Sequence, residues 1–254
     1  MLRPRVIPYL LIHNQGLVKT VRFATPKYVG DPINAVRIFN EKEVDELAII
    51  DIDATVERRE PDYALIGHLA AECNMPLCYG GGVKNSGQVQ RIIGLGVEKV
   101  ALSSGAIERP NVVQDVAEKV GNQSIVIVLD VKKSAGGNGY EVYTHNGKVA
   151  TGKCPIETAA AMAAAGAGEI VVNSIDRDGV MKGYDLDLID AVRKRVSIPL
   201  TCLGGAGSLD DIAQLTARYG AIGAAAGSLF VFKGVYRAVL INYPTHVERD
   251  RFGA

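Results

Sequence analysis

Short apolar runs rich in β-branched residues alternate along the chain with longer segments of helical periodicity. The runs fall near residues 6–11, 47–51, 76–79, 99–102, 125–130, 169–173, 199–203 and 221–226. Between them lie amphipathic patterns, among them 32–42, 62–72, 86–95, 156–165, 186–196 and 210–219. This alternation predicts an α/β fold with a parallel sheet and right-handed crossovers. Eight short strands of this kind close most naturally into a single (β/α)8 barrel. The competing fold, an open doubly wound sheet, would bring a Gly-rich turn after its first strand. Here that strand is followed by Leu11-Ile-His-Asn-Gln-Gly-Leu-Val-Lys19, with no G-x-G-x-x-G. The length of 254 residues suits one barrel, for which ~250 is typical.

The pattern also repeats over half the chain. Cys78-Tyr-Gly-Gly-Gly-Val and Cys202-Leu-Gly-Gly-Ala-Gly each precede a polar turn and a helix. Each helix leads to a strand closing in a Ser/Gly turn, Ser103-Ser-Gly and Gly227-Ser-Leu. The chain therefore reads as one barrel domain of two similar half-barrels, about 1–122 and 123–245, followed by a polar tail over 248–254. Glycines let backbone N–H groups approach an anion, and serines add donors. This places one phosphate at Gly81, Gly82, Ser103 and Ser104, and a second at Gly205, Gly207, Gly227 and Ser228. A single such turn would read as chain reversal only; two in matched positions favour a ligand with a phosphate at each end.

Charge adds mainly exclusions. Lys plus Arg and Asp plus Glu both number 28, so no general nucleic-acid or membrane affinity is expected. The N-terminus has no apolar signal region, and no apolar stretch reaches the ~18 residues of a spanning helix. Cys73, Cys78, Cys154 and Cys202 form no C-x-x-C pair, so they read as reduced, largely buried thiols of a cytoplasmic protein. Neither a metal nor another cofactor is implied.

Catalytic groups in such barrels sit at the C-terminal strand ends. Asp130 closes the run Ser-Ile-Val-Ile-Val-Leu-Asp and is the candidate acid or base. Asp51, Asn173 and Asp178 complete the expected mouth, with Asp51 positioning its neighbours and Asp176-Arg177-Asp178-Gly179 reading as a turn. Lys19, in the loop after the first strand, is placed to close over a phosphate or the reacting centre. His13 shares that loop. Aligning the two first strands sets Leu11 against Asp130, and leucine cannot transfer protons.

These residues, with Arg5-Val-Ile-Pro, Gly30-Asp-Pro, Gly166-Ala-Gly-Glu169 and Gly204-Gly-Ala-Gly207, resemble the cyclase subunit of imidazole glycerol phosphate synthase, the HisF family, over nearly the whole chain. The resemblance implies a HisH-like glutaminase partner at the N-terminal face and ammonia passing along the barrel axis to the mouth. It also implies a bisphosphorylated ribulosyl substrate and a charged gate of Arg5, Glu46, Lys99 and Glu169. The family's paired acid and base fall at positions 11 and 130, so Leu11 removes one. Tyr9, Ser103 and Asn173 also depart from the usual Cys, Asn and Thr. Pro8-Tyr-Leu-Leu-Ile-His-Asn-Gln-Gly and Val239-Leu-Ile-Asn-Tyr-Pro244 look like the HisF-like branch associated with glycosyl amidation in surface-polysaccharide biosynthesis. That branch implies a sugar amidotransferase as a further partner. An ordinary histidine-pathway cyclase and a non-catalytic, phosphate-binding scaffold are the alternatives.

Overall fold

A computed structural model describes residues 3–134, 136–137 and 139–252. Met1, Leu2, Ala135, Asn138, Gly253 and Ala254 lie outside the described residues, so the last two positions of the expected tail are not placed.

Eight strands form the barrel wall: β1 Arg5–His13, β2 Leu47–Asp51, β3 Leu77–Gly80, β4 Lys99–Leu102, β5 Ile125–Lys133, β6 Glu169–Ser174, β7 Leu200–Leu203 and β8 Gly223–Ala226. Each pairs in parallel with the next. β8 returns to β1 through the register Arg5↔Gly223 to Pro8↔Ala226, closing the barrel. The predicted (β/α)8 fold is the one observed.

Helices α1 Pro32–Glu41, α2 Tyr63–Glu72, α3 Ser86–Gly94, α4 Asn111–Val120, α5 Pro155–Ala164, α6 Leu186–Arg193 and α7 Leu209–Tyr219 link successive strands. Their starts follow from local chemistry. Asp31, Asp62, Asn85 and Asp185 accept N-terminal amide hydrogens, and Ser208 with Asp211 forms a reciprocal cap on α7. The apolar helix faces and the outward strand residues make the larger core. A smaller core fills the barrel interior, and every strand supplies part of it, from Ile7 and Tyr9 on β1 to Ala225 on β8.

Two segments differ from the expectation. β1 does not end at Leu11. It continues to His13 and turns through Asn14 and Gln15, both at positive φ (48° and 63°), into strand Gly16–Val21. That strand pairs antiparallel with β1 and with Ala24–Gly30, so Lys19 stands on a strand and not in an open loop. A two-residue turn with both φ positive matches the twist of a hairpin, which is why this compact reversal forms. At the C-terminus, His246–Asp250 is a capped helix and Phe252 is buried at 5 % exposure, so the expected tail packs on the barrel. Of the cysteines, Cys78 and Cys202 are buried, Cys73 is half-buried, and Cys154 is exposed, contrary to the expected burial. No helix among the described residues is long and apolar enough to cross a membrane.

Candidate functional site

At the N-terminal ends of the strands, inward-facing positions on β1, β4 and β6 and the residue before β2 carry four charges. Lys99 Nζ lies 2.9 Å from both Glu46 Oε2 and Glu169 Oε2, Arg5 Nη2 lies 2.7 Å from Glu169 Oε1, and Arg5 also pairs with Glu46. Positive and negative groups alternate around a closed ring. Burial works against each charge. The opposite charges outweigh it, so Arg5 and Lys99 are held above their ordinary values and Glu169 below its own. Thr201 Oγ1 donates to Glu169 Oε1 at 2.5 Å and completes the arrangement. Four charges this close to a core are stable only when mutually paired, and all four predicted residues meet here.

Above the ring the axis is filled by the inner core, whose aromatic member is Tyr9. Small neighbours, Ala48, Cys78, Ala101 and Ala225, leave room for its ring. Tyr9 also borders the cavity at the C-terminal mouth, which has a volume of about 140 Å³. That is far more than the ~10–15 Å³ that holds one water, so the mouth is roomy enough for a small ligand.

Asp130 and Leu11 both face this cavity, as the half-barrel alignment predicts. Burial raises the Asp130 carboxyl to about 7, against the opposing effect of a hydrogen bond from Asn173 Nδ2 at 2.8 Å. Asp130 is therefore poised to exchange a proton near neutral pH. Asp130 is not the end of its strand: β5 runs three residues further and pairs with Tyr140–Thr144. Lys19 is buried at 6 % exposure, and its Nζ donates to the Tyr9 carbonyl. Burial lowers the Lys19 ammonium to about 8, with Asp178 partly restoring it.

Asp178 stands in a turn, as expected for 176–179, with its N–H donating to the Ser174 carbonyl at 2.9 Å. Its carboxylate accepts from Thr20 Oγ1 at 2.7 Å and Phe23 N at 3.2 Å, and its carbonyl accepts from Arg22 N. The hairpin carrying Lys19 is thereby fastened over the mouth. Burial raises the Asp178 carboxyl, opposed by Thr20. At the hairpin's turn, His13 Nδ1 pairs with Asp53 Oδ1 at 2.7 Å, and Asn14 N donates to Asp53 Oδ2 at 2.7 Å. Asp51 accepts from Asp53 N and Ala54 N.

The two candidate phosphate sets are placed differently. Gly81, Gly82, Ser103 and Ser104 all line the cavity. Ser103 Oγ is buried without a hydrogen-bond partner, as is Asn173 Oδ1, which also faces the cavity. Gly205, Gly207 and Ser228 do not line it, and Gly227 reaches it only beneath Lys19. Gly205 and Gly207 instead pack against the 181–183 segment, where a methyl on either would collide with the carbonyls of Gly183 and Met181. Several lining residues had no sequence signal: Thr20 and Phe23 come from the hairpin, and Asn146 from the turn after Tyr140–Thr144. Thr201 had one, since strand alternation puts it inside, level with the charged ring.

Known proteins resemble this chain over nearly its full length. The family described as "Histidine biosynthesis protein" matches residues 5–237. A protein of Vibrio vulnificus is 56% identical over 251 residues, 99% of this chain and 96% of that protein; its provisional name is imidazole glycerol phosphate synthase subunit hisF3. The chain belongs to the HisF family of histidine biosynthesis proteins. A Pseudomonas aeruginosa HisF relative, provisionally named hisF2, is 51% identical over 244 residues, 96% of this chain and 97% of its own length. The HisF subunit of imidazole glycerol phosphate synthase from Lactococcus lactis (strain SK11) is 38% identical over 230 residues, 91% of this chain and 89% of its own.

Proposed function

We propose that this HisF-type barrel is the ammonia-receiving subunit of a glutamine amidotransferase complex. A HisH-like glutaminase docks at the N-terminal face, and ammonia enters through the ring of Arg5, Glu46, Lys99 and Glu169. It follows the axis to the mouth, where Lys19 and Asp130 act and Asp51, Asn173 and Asp178 position the ligand. The ligand is phosphorylated and seated first at Gly81, Gly82, Ser103 and Ser104. The barrel is built from two half-barrels, about 1–122 and 123–245. Because the ammonia is not consumed by ring closure, its destination is amidation of a surface-polysaccharide sugar by a sugar amidotransferase, in the cytoplasm.

One observation carries this reading: Leu11 lines the mouth beside Asp130, so a leucine stands where the family resemblance puts the second member of the acid–base pair. The sugar role rests on resemblance to the HisF-like branch, and the fold alone would not assign it. A second reading, an ordinary cyclase of imidazole glycerol phosphate synthase, is favoured by Asp130 titrating near neutrality and by Lys19 over the cavity. The purified barrel, supplied with the bisphosphorylated ribulosyl substrate and saturating ammonium, separates the two. The proposal expects no turnover by the wild type and detectable turnover by Leu11→Asp. Wild-type turnover at the level of a working cyclase would replace it with the second reading.

A further inference from the structure

After β8 a single helical turn, Ser228–Val231, stands where an eighth barrel helix would begin. It leads into a small hairpin in which Phe232–Lys233 pairs antiparallel with Ala238–Val239. The loop between them is Gly234-Val-Tyr-Arg237, closed by Arg237 N donating to Gly234 O at 3.0 Å. Its central residues, Val235 and Tyr236, are 91% and 93% exposed. Central turn positions ordinarily carry Gly, Pro, Asn, Asp or Ser, which favour the reversal and are at home in water. A valine and a tyrosine serve neither purpose.

The tip is held in place. Arg237 Nη2 donates to the Gly179 carbonyl at 2.8 Å, and Lys27 Nζ to the Arg237 carbonyl at 3.2 Å. Both cations also lie against the Phe232 ring, Lys27 at 4.9 Å and Arg237 at 5.2 Å from its centre. These contacts tie the tip to the 179–181 turn and to Ala24–Gly30, the outer strand of the hairpin that covers the mouth. Side chains presented on a fixed support lose less freedom when they bind.

Apolar exposure is concentrated here. Among the described residues, Val21, Tyr28, Val235, Tyr236, Val239 and Leu240 are six of the ten exposed large hydrophobic residues, which marks an interaction surface. The charge around them is positive, in a chain whose net charge is zero. Arg22, Lys27, Lys182 and Lys233 are exposed. The two carboxylates on the same segments (16–30, 176–183 and 232–240) are half-buried: Asp178 accepts from Thr20 Oγ1, and Asp176 from Lys133 N at 2.8 Å.

We propose that this rim is the docking surface for the enzyme that consumes the ammonia, a protein with an apolar cleft for Val235 and Tyr236 and an acidic border facing the four cations. This rests on the ammonia delivery and the sugar amidotransferase of the proposed function, and it adds the surface and the partner's chemistry. Ammonia released at an open mouth takes a proton from water and ceases to be a nucleophile, so the consuming site must sit over the mouth. A partner gripping the tip sits there, because the tip is hydrogen-bonded to the mouth's cover. A second copy of this chain fits less well: a two-fold contact would set the four cations of one copy against the same four of the other. Val235 and Tyr236 anchor the partner, and the cations steer its approach.

Biolayer interferometry of the full chain against the purified sugar amidotransferase tests this. Tyr236→Ala should weaken binding about thirty-fold or more, the loss expected of a central aromatic anchor. Lys233→Glu should slow association about ten-fold and flatten its salt dependence. Val247→Ser should bind like wild type: Val247 is 79% exposed, but its helix packs at the opposite end of the barrel, through Arg249 and Asp45 at 2.5 Å. All three side chains are exposed, so melting temperatures should match wild type. Equal binding by wild type and Tyr236→Ala overturns the surface and leaves ammonia delivery standing. Absence of binding by the wild type removes this occupant and overturns the inference, while the Leu11→Asp assay still decides the proposed function. Dimerisation in light scattering, or binding to phosphatidylglycerol vesicles, that is lost in Tyr236→Ala gives the surface to a second copy or to a membrane, and equally overturns it.

Discussion

Asn173 and Asp130 stand directly opposite each other on β6 and β5, and the Asn173 amide donates to the Asp130 carboxyl at 2.8 Å. That bond favours the charged form but does not overcome burial, which leaves the carboxyl at about 7. Asp130 therefore carries a stability signature. An unfolded Asp titrates near ~3.9, so below about pH 4 both states hold the proton and no penalty exists. As pH rises from about 4 to 7, the unfolded chain gives up its proton first, and the native state loses stability relative to it. Asp130→Asn removes this penalty. Its melting temperature should gain on wild type across that window by at least about 2–4 °C, the effect of about 1 kcal/mol in a chain near this size. Asp51 and Asp178 are also raised but are common to both proteins and cancel. A gap that stays flat from pH 4 to 8 would show that Asp130 titrates normally.

The charged ring makes a second prediction. Glu169 serves both Arg5 and Lys99, so Glu169→Ala leaves two cations sharing Glu46. Removing one partner of a buried ion pair costs about 3–5 kcal/mol. The cations retain 29% and 20% side-chain exposure, which places the loss at the lower end, about 3 kcal/mol at pH 7. The Glu169 carboxyl is held below its ordinary value, so its contribution is complete above the unfolded pKa and fades as pH falls through the native one. Urea denaturation measures this, with Arg37→Ala as the comparison. That residue pairs with Glu72 on the surface, where about 0–1 kcal/mol is expected. Equal losses in the two variants would mean that the ring is four separate surface charges.

The barrel was legible because eight short apolar runs alternate along the chain with segments of helical periodicity. Asp130 was legible as the residue closing an apolar run at a strand's C-terminal end, whereas Arg5, Glu46, Lys99 and Glu169 were legible only through the family resemblance. Leu11 against Asp130 was legible through the internal repeat, by aligning the first strands of the two halves. The hairpin over the mouth was not. Its strands, Gly16–Val21 and Ala24–Gly30, are short and mix apolar with polar residues without a clean alternation, and its turn uses Asn14 and Gln15 where Gly would have been the signal. Its fastening to Asp178 joins residues 158 positions apart through a Thr hydroxyl, which no local pattern encodes. The closure of the second glycine set was also hidden, because Gly205 and Gly207 match the first set in sequence. What separates them is the 181–183 segment, whose carbonyls pack on Gly205 and Gly207.

Tyr9 supplies the last prediction. It is 5% exposed, and its hydroxyl makes no hydrogen bond among the described residues. Its contribution should therefore come from the ring filling the axis between the charged ring and the mouth. Tyr9→Phe should change stability by less than about 1 kcal/mol, a volume-conserving exchange. Tyr9→Ala should cost about 3–5 kcal/mol and leave a void, since the surrounding Ala48, Cys78, Ala101 and Ala225 are too small to collapse into it. Thermal or urea unfolding gives both values, and xenon bound at that position in crystals of Tyr9→Ala would show the void directly. A loss below about 1 kcal/mol in Tyr9→Ala would mean that the ring is loosely packed. The axis would then be open at rest. A large loss with a xenon site would mean that Tyr9 blocks the axis at rest, and that anything travelling from the charged ring to Asp130 must wait for it to turn aside.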